Sequence, residues 1–279
     1  MTVMSFNQSI FRNSVFFLIL IPLFAVWGFW VTYFTRPPGT YNIWEHVHGV
    51  AMFTWCIMLV SQSFLIRTNL RSVHRALGKI SFILAPVIVI STVFLANYKL
   101  NVRQLNNEGL YIFGLQVFII ILFGYFYSMA MIRRQQPDVH ARWMICTAFT
   151  LLDPIFARII AVNFYHVPFE TGIIQWMTFA FIDVIVVILV IKDWKSGGRR
   201  DVFFPALALL VVAQIAMLTV WDTAPWKAFA SGFAGLPITG VLQAKAETFR
   251  ISGPNTVIYR ASTCGRGCVI SISPSLISG

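Results

Sequence analysis

The stretch "LYIFGLQVFIIILFGYFYSMAMI", residues 110–132, decides the fold of this chain, because it contains no charged side chain over its whole length. A helix needs about 20 consecutive apolar residues to cross roughly 30 Å of hydrocarbon, where every backbone N–H and C=O must be satisfied within the helix. The stretch therefore predicts a transmembrane helix.

Six further apolar runs have the same character and lie at about 15–34, 46–66, 79–97, 143–163, 172–191 and 203–221. The composition agrees with them: 58% of the 279 residues are hydrophobic and 11% are charged, whereas a soluble domain has about 25% charged residues. The runs are continuous rather than short and alternating, which excludes a membrane β-barrel. We predict an all-α, polytopic membrane bundle of about seven transmembrane helices, formed by residues 1–237.

Lysine and arginine are divided unevenly between the two ends of this predicted bundle. Twelve share the side of the N-terminus, namely Arg12, Arg67, Arg71, Arg75, Lys79, Arg133, Arg134, Arg142, Lys192, Lys195, Arg199 and Arg200. Only four, Arg36, Lys99, Arg103 and Lys227, lie on the opposite side up to residue 237. The positive-inside rule places the first set, and hence the N-terminus, in the cytoplasm. The net charge of +11 then indicates attraction to anionic lipids at the cytoplasmic face, and not nucleic-acid binding.

The C-terminal segment 238–279 is rich in Ser, Gly and Thr and has no further apolar run. We expect a poorly ordered tail outside the cytoplasm. Cys264 and Cys268 are close enough for a local disulfide, although their spacing is also compatible with metal binding. Cys56 and Cys146 lie within predicted spans and are interpreted as small core residues.

Two of the five histidines stand at corresponding points of the sequence, in "SVHRALGKIS" (72–81) and "DVHARWMICT" (138–147). His74 and His140 each precede a span that starts in the cytoplasm, so both side chains enter the bundle at a similar depth. Two neutral imidazoles at one depth can occupy both axial positions of a haem iron. The alternative is that each His-Arg pair anchors its helix in the headgroup layer, with the arginine on lipid phosphate.

This arrangement resembles the transmembrane b-type cytochromes, which carry two haems toward opposite faces of a helical bundle. The resemblance implies haem b between the third and fifth spans, with His74 and His140 as axial and metal ligands. In this haem-binding hypothesis, Arg71, Arg75 and Arg142 face the haem propionates. A second haem would use His48 on the second span, but the fourth span has no histidine, so His166 would have to be its partner.

A second resemblance covers roughly residues 40–165 and rests on "HVHG" (46–49), "RSVHRALGKIS" (71–81) and "PDVHARWMICTAFTLLDPIFARII" (137–160). These steps are similar to a family of uncharacterised bacterial integral membrane proteins that share an "HRxxG" step and a later "HxRWM" step. The resemblance implies a multi-pass protein of the bacterial cytoplasmic (inner) membrane and no particular activity.

Polar residues inside the predicted spans need an explanation, because an unpaired charge there costs several kcal/mol. Asp153 and Arg158 are five residues apart on one helix, which is a poor contact spacing, so we expect Arg158 to pair with Asp183 of the next span. Gln62 recurs with His48 and Trp55 at intervals of seven, which predicts one inward-facing stripe. These groups serve either as interhelical hydrogen bonds or as a proton path or pocket wall.

Three functions remain open from the sequence. The first is haem-based transmembrane electron transfer with a quinone or another redox partner. The second is a small transporter or proton-coupled channel that uses Asp153, Arg158 and Asp183. The third is a structural or assembly partner of another membrane complex. No phosphate-binding loop, zinc helix or nucleophile elbow is recognisable.

Overall fold

The computed structural model describes residues 14–37, 39–103, 105–165, 172–197 and 200–240. Over these residues the chain is helical and contains no strand. Seven helices are long and apolar enough to cross a membrane: Ser14–Phe34, Ile43–Arg67, Arg71–Val102, Asn107–Ile132, Pro137–Val162, Ile173–Lys195 and Phe203–Val220. The prediction of an all-helical chain with seven helices of membrane-spanning length and composition is confirmed over the described residues.

The helices are numbered here in chain order. They are α1 (Leu20–Phe29), α2 (Ile43–Arg67), α3 (Arg71–Gly78), α4 (Ser81–Arg103), α5 (Asn107–Ile132), α6 (Pro137–Arg158), α7 (Ile173–Gly197), α8 (Phe203–Val220) and α9 (Ala224–Ala234). Helix α1 continues as a π-helix over Trp30–Phe34, and α6 continues as one over Ile159–Tyr165.

Local capping explains why two helices begin before their apolar runs. The Asn42 side chain accepts from the Trp44 N–H, while the Glu45 carboxylate accepts from the Asn42 N–H, so α2 starts at Ile43. Asn106 caps α5 in the same way by accepting from the Gly109 N–H at 2.7 Å. Such caps satisfy amide groups that would otherwise lack a partner in the first turn.

The third membrane-length helical segment, Arg71–Val102, is longer than the predicted apolar run 79–97 and consists of two helices. Helix α3 ends at Gly78, and a turn at Lys79 and Ile80 leads into α4. The α3 side chains are mostly exposed, apart from His74, Leu77 and Gly78, which are partly covered. Hydropathy marks only the part of a helix that matches hydrocarbon, so the amphipathic start was not included in the predicted span.

Helix α6 lies at the centre of the bundle and packs against α1, α5, α7 and α8. Two thirds of its membrane-length window is buried, a larger share than in any other described span. Trp143, Cys146, Phe149 and Leu151 of α6 are each less than 5% exposed. The site residues on α6 are therefore held by neighbours on several sides.

Helix α1 approaches α6 closely at Gly28. A Cβ atom at this position would lie 2.8 Å from the backbone oxygen of Ile155 and 3.2 Å from the Ile159 side chain. Glycine thus permits the backbone contact between the first and fifth spans.

The bundle has two chemically different ends. The end at which α2, α5 and α7 finish carries Arg67, Arg133, Arg134, Lys192 and Lys195 and is called the basic end. The opposite end carries Arg36, Glu45, Lys99 and Lys227.

The chain divides into the units Met1–Leu236 and Pro237–Gly279. The predicted tail, with Cys264 and Cys268, lies almost entirely outside the described residues, as do Arg12, His166 and Arg199.

Helix α9 was not expected from the sequence. Thr223 precedes it in an extended conformation and Pro225 occupies its first turn, which is where proline is favoured. Its Phe233 packs on Phe113 of α5 with ring centroids 5.0 Å apart.

Candidate functional site

The strongest candidate site is built around the carboxylate of Asp153 in the central helix α6. This side chain is 5% exposed, well inside the span Pro137–Val162. Gln175 of α7 donates its side-chain N–H to Asp153 Oδ1 at 2.5 Å. Arg158, one turn further along α6, interacts with the Asp153 carboxylate electrostatically. A buried, ionisable group inside a membrane span is expensive and is commonly retained for function.

Two buried polar atoms near Asp153 have no hydrogen-bond partner within the part of the chain that the structure describes. They are the Tyr111 hydroxyl of α5 and the Oε1 atom of Gln175. Tyr111 is 8% exposed, Gln175 is 2% exposed, and Tyr111 lies close enough to Asp153 to interact with its charge. Asp153, Tyr111 and Gln175 are called the Asp153 cluster below. Unsatisfied buried groups are rare, and they frequently mark a place where water or an ion binds.

A cavity of about 40 Å³ lies between Asp153 and α8. Its wall is apolar except for Asp153 and Gln214, and includes Leu115, Phe118, Leu122, Phe149, Phe179, Ile182, Leu210, Ala213 and Met217. This volume is enough for a water molecule, which needs about 10–15 Å³ measured in this way and at least two polar partners. On the far side, Gln214 donates to Asp183 Oδ1 at 2.9 Å. The cavity thus borders both Asp153 and Gln214, the hydrogen-bond partner of Asp183, and its surface is almost entirely apolar.

Arg158 lies beyond Asp153, toward the opposite end. It donates to the Pro154 carbonyl at 2.9 Å, and its guanidinium lies 4.4 Å from the centre of the Phe29 ring. It also interacts electrostatically with His48, whose Nδ1 lies 3.3 Å from the hydroxyl oxygen of Ser91. Asp183 has Gln214 as its described partner, so the Arg158–Asp183 ion pair stays a prediction.

The two histidines expected to share a depth lie at the basic end. His74 is on α3 and His140 is in the first turn of α6, and both are partly buried. Their side chains are near enough to interact electrostatically. The structure therefore brings His74 and His140 toward each other.

Their hydrogen bonds, however, assign opposite roles to the two imidazoles. His140 Nδ1 lies 2.9 Å from the Ala130 carbonyl and therefore donates to it, so in the neutral form of the ring the lone pair is on Nε2. Gln62 lies against His74. With its amide oriented to accept from the Gly78 N–H at 3.2 Å, it donates to the His74 carbonyl at 3.1 Å and to His74 Nδ1. An Nδ1 that accepts a hydrogen bond leaves the proton of a neutral imidazole on Nε2.

This donor set does not fit the two axial ligands that the cytochrome resemblance implies. Haem iron would need a lone pair from the Nε2 atom of both rings, and His74 presents an N–H there instead. Rotating the Gln62 amide by half a turn would allow the proton to move to His74 Nδ1 and would leave a lone pair on His74 Nε2. The same rotation would place the Gln62 oxygen against the His74 carbonyl oxygen and the Gln62 N–H against the Gly78 N–H. No step of the proposed function therefore uses haem.

The arginines predicted to face haem propionates have different surroundings. Arg71 and Arg75 are exposed on α3. Arg142 is only 1% exposed and forms a two-bond ion pair with Asp193 of α7, with N–O distances of 2.8 and 2.9 Å. A third guanidinium nitrogen donates to the Asp138 carbonyl at 3.0 Å. The Arg142 fork is thus occupied by protein oxygens.

The inward stripe on α2 is present. Trp55 is fully buried and donates its indole N–H to the Thr147 hydroxyl at 3.3 Å, and Leu59 is 4% exposed. His48 and Gln62 lie on the same side and contact α4 and α3. Cys56 and Cys146 are buried, free cysteines. Among the described residues, no group of three or more His, Cys, Asp or Glu side chains could hold a metal ion.

Sequence reasoning found Asp153 and Asp183 but missed the residues that surround them. These residues are Tyr111, Gln175 and Gln214, and each lies in an apolar run. The polar side-chain atoms that they bring into a hydrophobic span are the feature of the sequence that could have identified them. The sequence gives no signal for the role of Asp193, because it lies just beyond the sixth predicted run, 172–191, among the basic residues Lys192 and Lys195.

Comparison with known proteins adds no assignment: no protein family profile, curated protein or solved structure matches this chain. The two family resemblances seen in the sequence stay predictions.

Proposed function

We propose that this protein carries protons across a membrane, with Asp153 and Asp183 as the groups that bind them. The single observation that supports this function is that one cavity, large enough for a water molecule, borders both the buried Asp153 and Gln214, the hydrogen-bond partner of Asp183. It favours the proton-coupled transporter or channel over the electron-transfer and assembly hypotheses.

The chemistry at Asp153 is a reversible protonation. The carboxylate takes up a proton and becomes a neutral acid, which removes a costly charge from the membrane interior. The acid then releases the proton to water that enters the cavity, and the resulting hydronium ion gives it to the Asp183 carboxylate. The Gln214 amide orients Asp183 by its hydrogen bond and does not itself carry the proton. At the end of the step Asp153 is again a carboxylate and Asp183 is a neutral acid, so the total charge is unchanged.

The other members of the Asp153 cluster can guide this exchange. The Gln175 amide donates to one carboxylate oxygen, so the other oxygen is available for the proton. The Tyr111 hydroxyl can donate to a carboxylate or accept from a water, and it has no competing partner within the described residues.

The orientation is part of the proposal. We infer that the basic end faces the cytoplasm, in accordance with the positive-inside rule, and that the membrane is the bacterial cytoplasmic membrane. A reporter domain that is active only in the cytoplasm is expected to be active when it is fused after residue 135, at the basic end, and inactive when it is fused after residue 222. A reporter domain that is active only outside the cytoplasm is expected to give the opposite results. The reverse of both patterns would contradict this orientation.

Proton flux through purified protein in liposomes tests the proposed function directly. A potassium gradient with valinomycin drives protons inward, and an enclosed pH-sensitive dye reports their arrival. We expect flux above that of protein-free liposomes. Asp153→Asn is expected to reduce the flux to the protein-free level, because asparagine cannot exchange a proton.

Asp222→Asn is the matched control. Asp222 is an exposed acid outside the seven spans and pairs with Lys227, so its replacement should leave the flux unchanged. Wild-type flux equal to that of empty liposomes, or full flux in Asp153→Asn, would contradict the proposal.

A further inference from the structure

A second cavity, unrelated to the Asp153 cluster, opens at the opposite end of the bundle. Its volume is about 370 Å³, and it lies where the first span passes through a short connection into α2. The walls are formed by Tyr33, Phe34, Arg36, Gly39, Tyr41 and His46. The cavity is a groove that is largely open to the surface, and its volume is enough to admit a small molecule.

Three of these side chains form a fixed aromatic wall. The ring centroids of Tyr33 and Tyr41 are 5.2 Å apart, and those of Tyr41 and His46 are 4.8 Å apart. The Tyr41 hydroxyl lies near the backbone carbonyls of Tyr33 and, at 3.1 Å, of Arg36, and its one proton is donated to either of them. The wall is thus held in place by its own contacts before any ligand binds.

His46 lines this cavity and is a candidate hydrogen-bond donor to a ligand. Its Nδ1 lies 2.7 Å from the Tyr33 hydroxyl. In the tautomer in which the phenol donates to Nδ1, the imidazole proton is on Nε2. His46 is an exposed residue, and this N–H can bind an acceptor that enters the cavity.

Arg36 supplies a positive charge that its neighbours do not fully neutralise. The guanidinium lies 5.0 Å from the centre of the Tyr41 ring and 3.7 Å from Glu45 Oε1. That same oxygen is also bound by the Lys99 ammonium in a closer contact. Two cations therefore share one carboxylate, and the net local charge is positive. The Arg36 side chain is 39% exposed, so its remaining N–H groups can reach a ligand.

We propose that this cavity binds an oxyanion, a carboxylate or phosphate, carried on an apolar body. The anion binds Arg36 and the His46 N–H, while the body lies on Tyr33, Phe34 and Tyr41. Aromatic walls can also bind quaternary ammonium ions, but the Arg36 guanidinium already lies over the Tyr41 ring and repels a cation. The anion comes either from a free small molecule or from a lipid headgroup, which present the same chemistry.

Titration calorimetry with benzoate tests this site, because benzoate combines a carboxylate with an apolar ring. The protein is placed in nanodiscs of phosphatidylcholine and in nanodiscs containing about one third phosphatidylglycerol. Arg36→Gln is expected to weaken benzoate binding by at least about tenfold, since it removes a charge-assisted hydrogen-bond donor. Lys227→Gln is the control, because Lys227 is another partly exposed cation at the same end and does not line the cavity.

The two nanodisc types distinguish the two sources of the anion. Benzoate binding that is equal in both indicates a free small anion. Two results together indicate a lipid headgroup. Phosphatidylglycerol suppresses benzoate binding to wild type, and native mass spectrometry finds that Arg36→Gln retains less phosphatidylglycerol than wild type does. Either result supports the oxyanion site.

Three results would overturn it. The first is the absence of saturable benzoate binding together with equal lipid retention in wild type and Arg36→Gln. The second is that Arg36→Gln and Lys227→Gln affect benzoate binding equally. The third is that the protein binds tetramethylammonium and does not bind benzoate. Thermal unfolding of each variant checks that it is folded. Arg36→Lys keeps the charge without the planar fork, so we expect its affinity to lie between those of wild type and Arg36→Gln.

Discussion

At the scale of single residues, the ion pair between Arg142 and Asp193 shows how a charge is kept inside this bundle. Both side chains are almost completely buried, and the guanidinium binds both carboxylate oxygens. The two charges compensate each other, and the Asp138 carbonyl accepts a further donor. Removing one partner would leave the other buried without its counter-ion.

We predict that Asp193→Leu lowers the free energy of unfolding by about 3 to 5 kcal/mol, the range found when one member of a buried ion pair is lost. The double variant Arg142→Leu with Asp193→Leu should be less destabilised than Asp193→Leu alone, because no buried charge is then left uncompensated. Reversible unfolding in mixed micelles measures both variants.

The exposed pair Lys227–Asp222 provides the comparison for this experiment. Lys227→Gln is expected to change the free energy of unfolding by at most about 1 kcal/mol, as is usual for surface pairs. Equal effects of Asp193→Leu and Lys227→Gln would show that the buried pair does not have the stabilising role assigned to it.

The candidate residues show what a sequence can and cannot predict at this scale. Asp153 and Asp183 could be identified because an acid within an apolar run is unusual. Their partners could not be predicted, because which faces of α6, α7 and α8 meet depends on helix rotation and packing. Arg142 was assigned to haem propionates for the same reason: Asp193 is 51 positions away in the chain.

At the scale of helices, hydropathy predicts the apolar part of each span. The residues at which the helices begin depend instead on capping side chains and on polar helical segments outside the apolar runs. Asn42 and Asn106 extend α2 and α5 beyond their apolar runs, and α3 is helical although its mean composition is polar. Helix α9 was missed because its 11 residues are too short for a span.

The approach of α1 to α6 leads to a second prediction. Gly28→Ala is expected to destabilise the bundle by about 1 to 3 kcal/mol, the usual cost of overpacking, because the added methyl group would lie against the backbone oxygen of Ile155. A backbone atom of the central helix cannot move aside without shifting α6. The midpoint of thermal unfolding reports the effect.

Gly124→Ala is the matched control on α5. A Cβ atom there has no heavy atom within 4 Å, so alanine should be neutral or should stabilise the helix by up to about 1 kcal/mol through its higher helix propensity. If Gly28→Ala were as well tolerated as Gly124→Ala, the close packing of α1 on α6 would be wrong.

At the scale of the whole molecule, polar groups of the described residues lie at both ends of the helices and also in their interior. The histidines at the basic end offer one imidazole lone pair and one imidazole N–H. We therefore predict that protein purified from membranes supplied with haem has no Soret band. A Soret band that is lost in both His74→Ala and His140→Ala would contradict this assignment of the imidazole protons.

The interior cavity carries the central claim, which is that Asp153 exchanges a proton within the membrane. Infrared difference spectroscopy after a pH jump detects the carbonyl stretch of a protonated carboxyl group directly, without knowledge of a transported substrate. Across the pH range in which the protein stays folded, we expect wild type to show a carboxyl band that Asp153→Asn lacks and Asp222→Asn retains. An identical spectrum for wild type and Asp153→Asn would mean that Asp153 does not change its protonation, and would contradict the account.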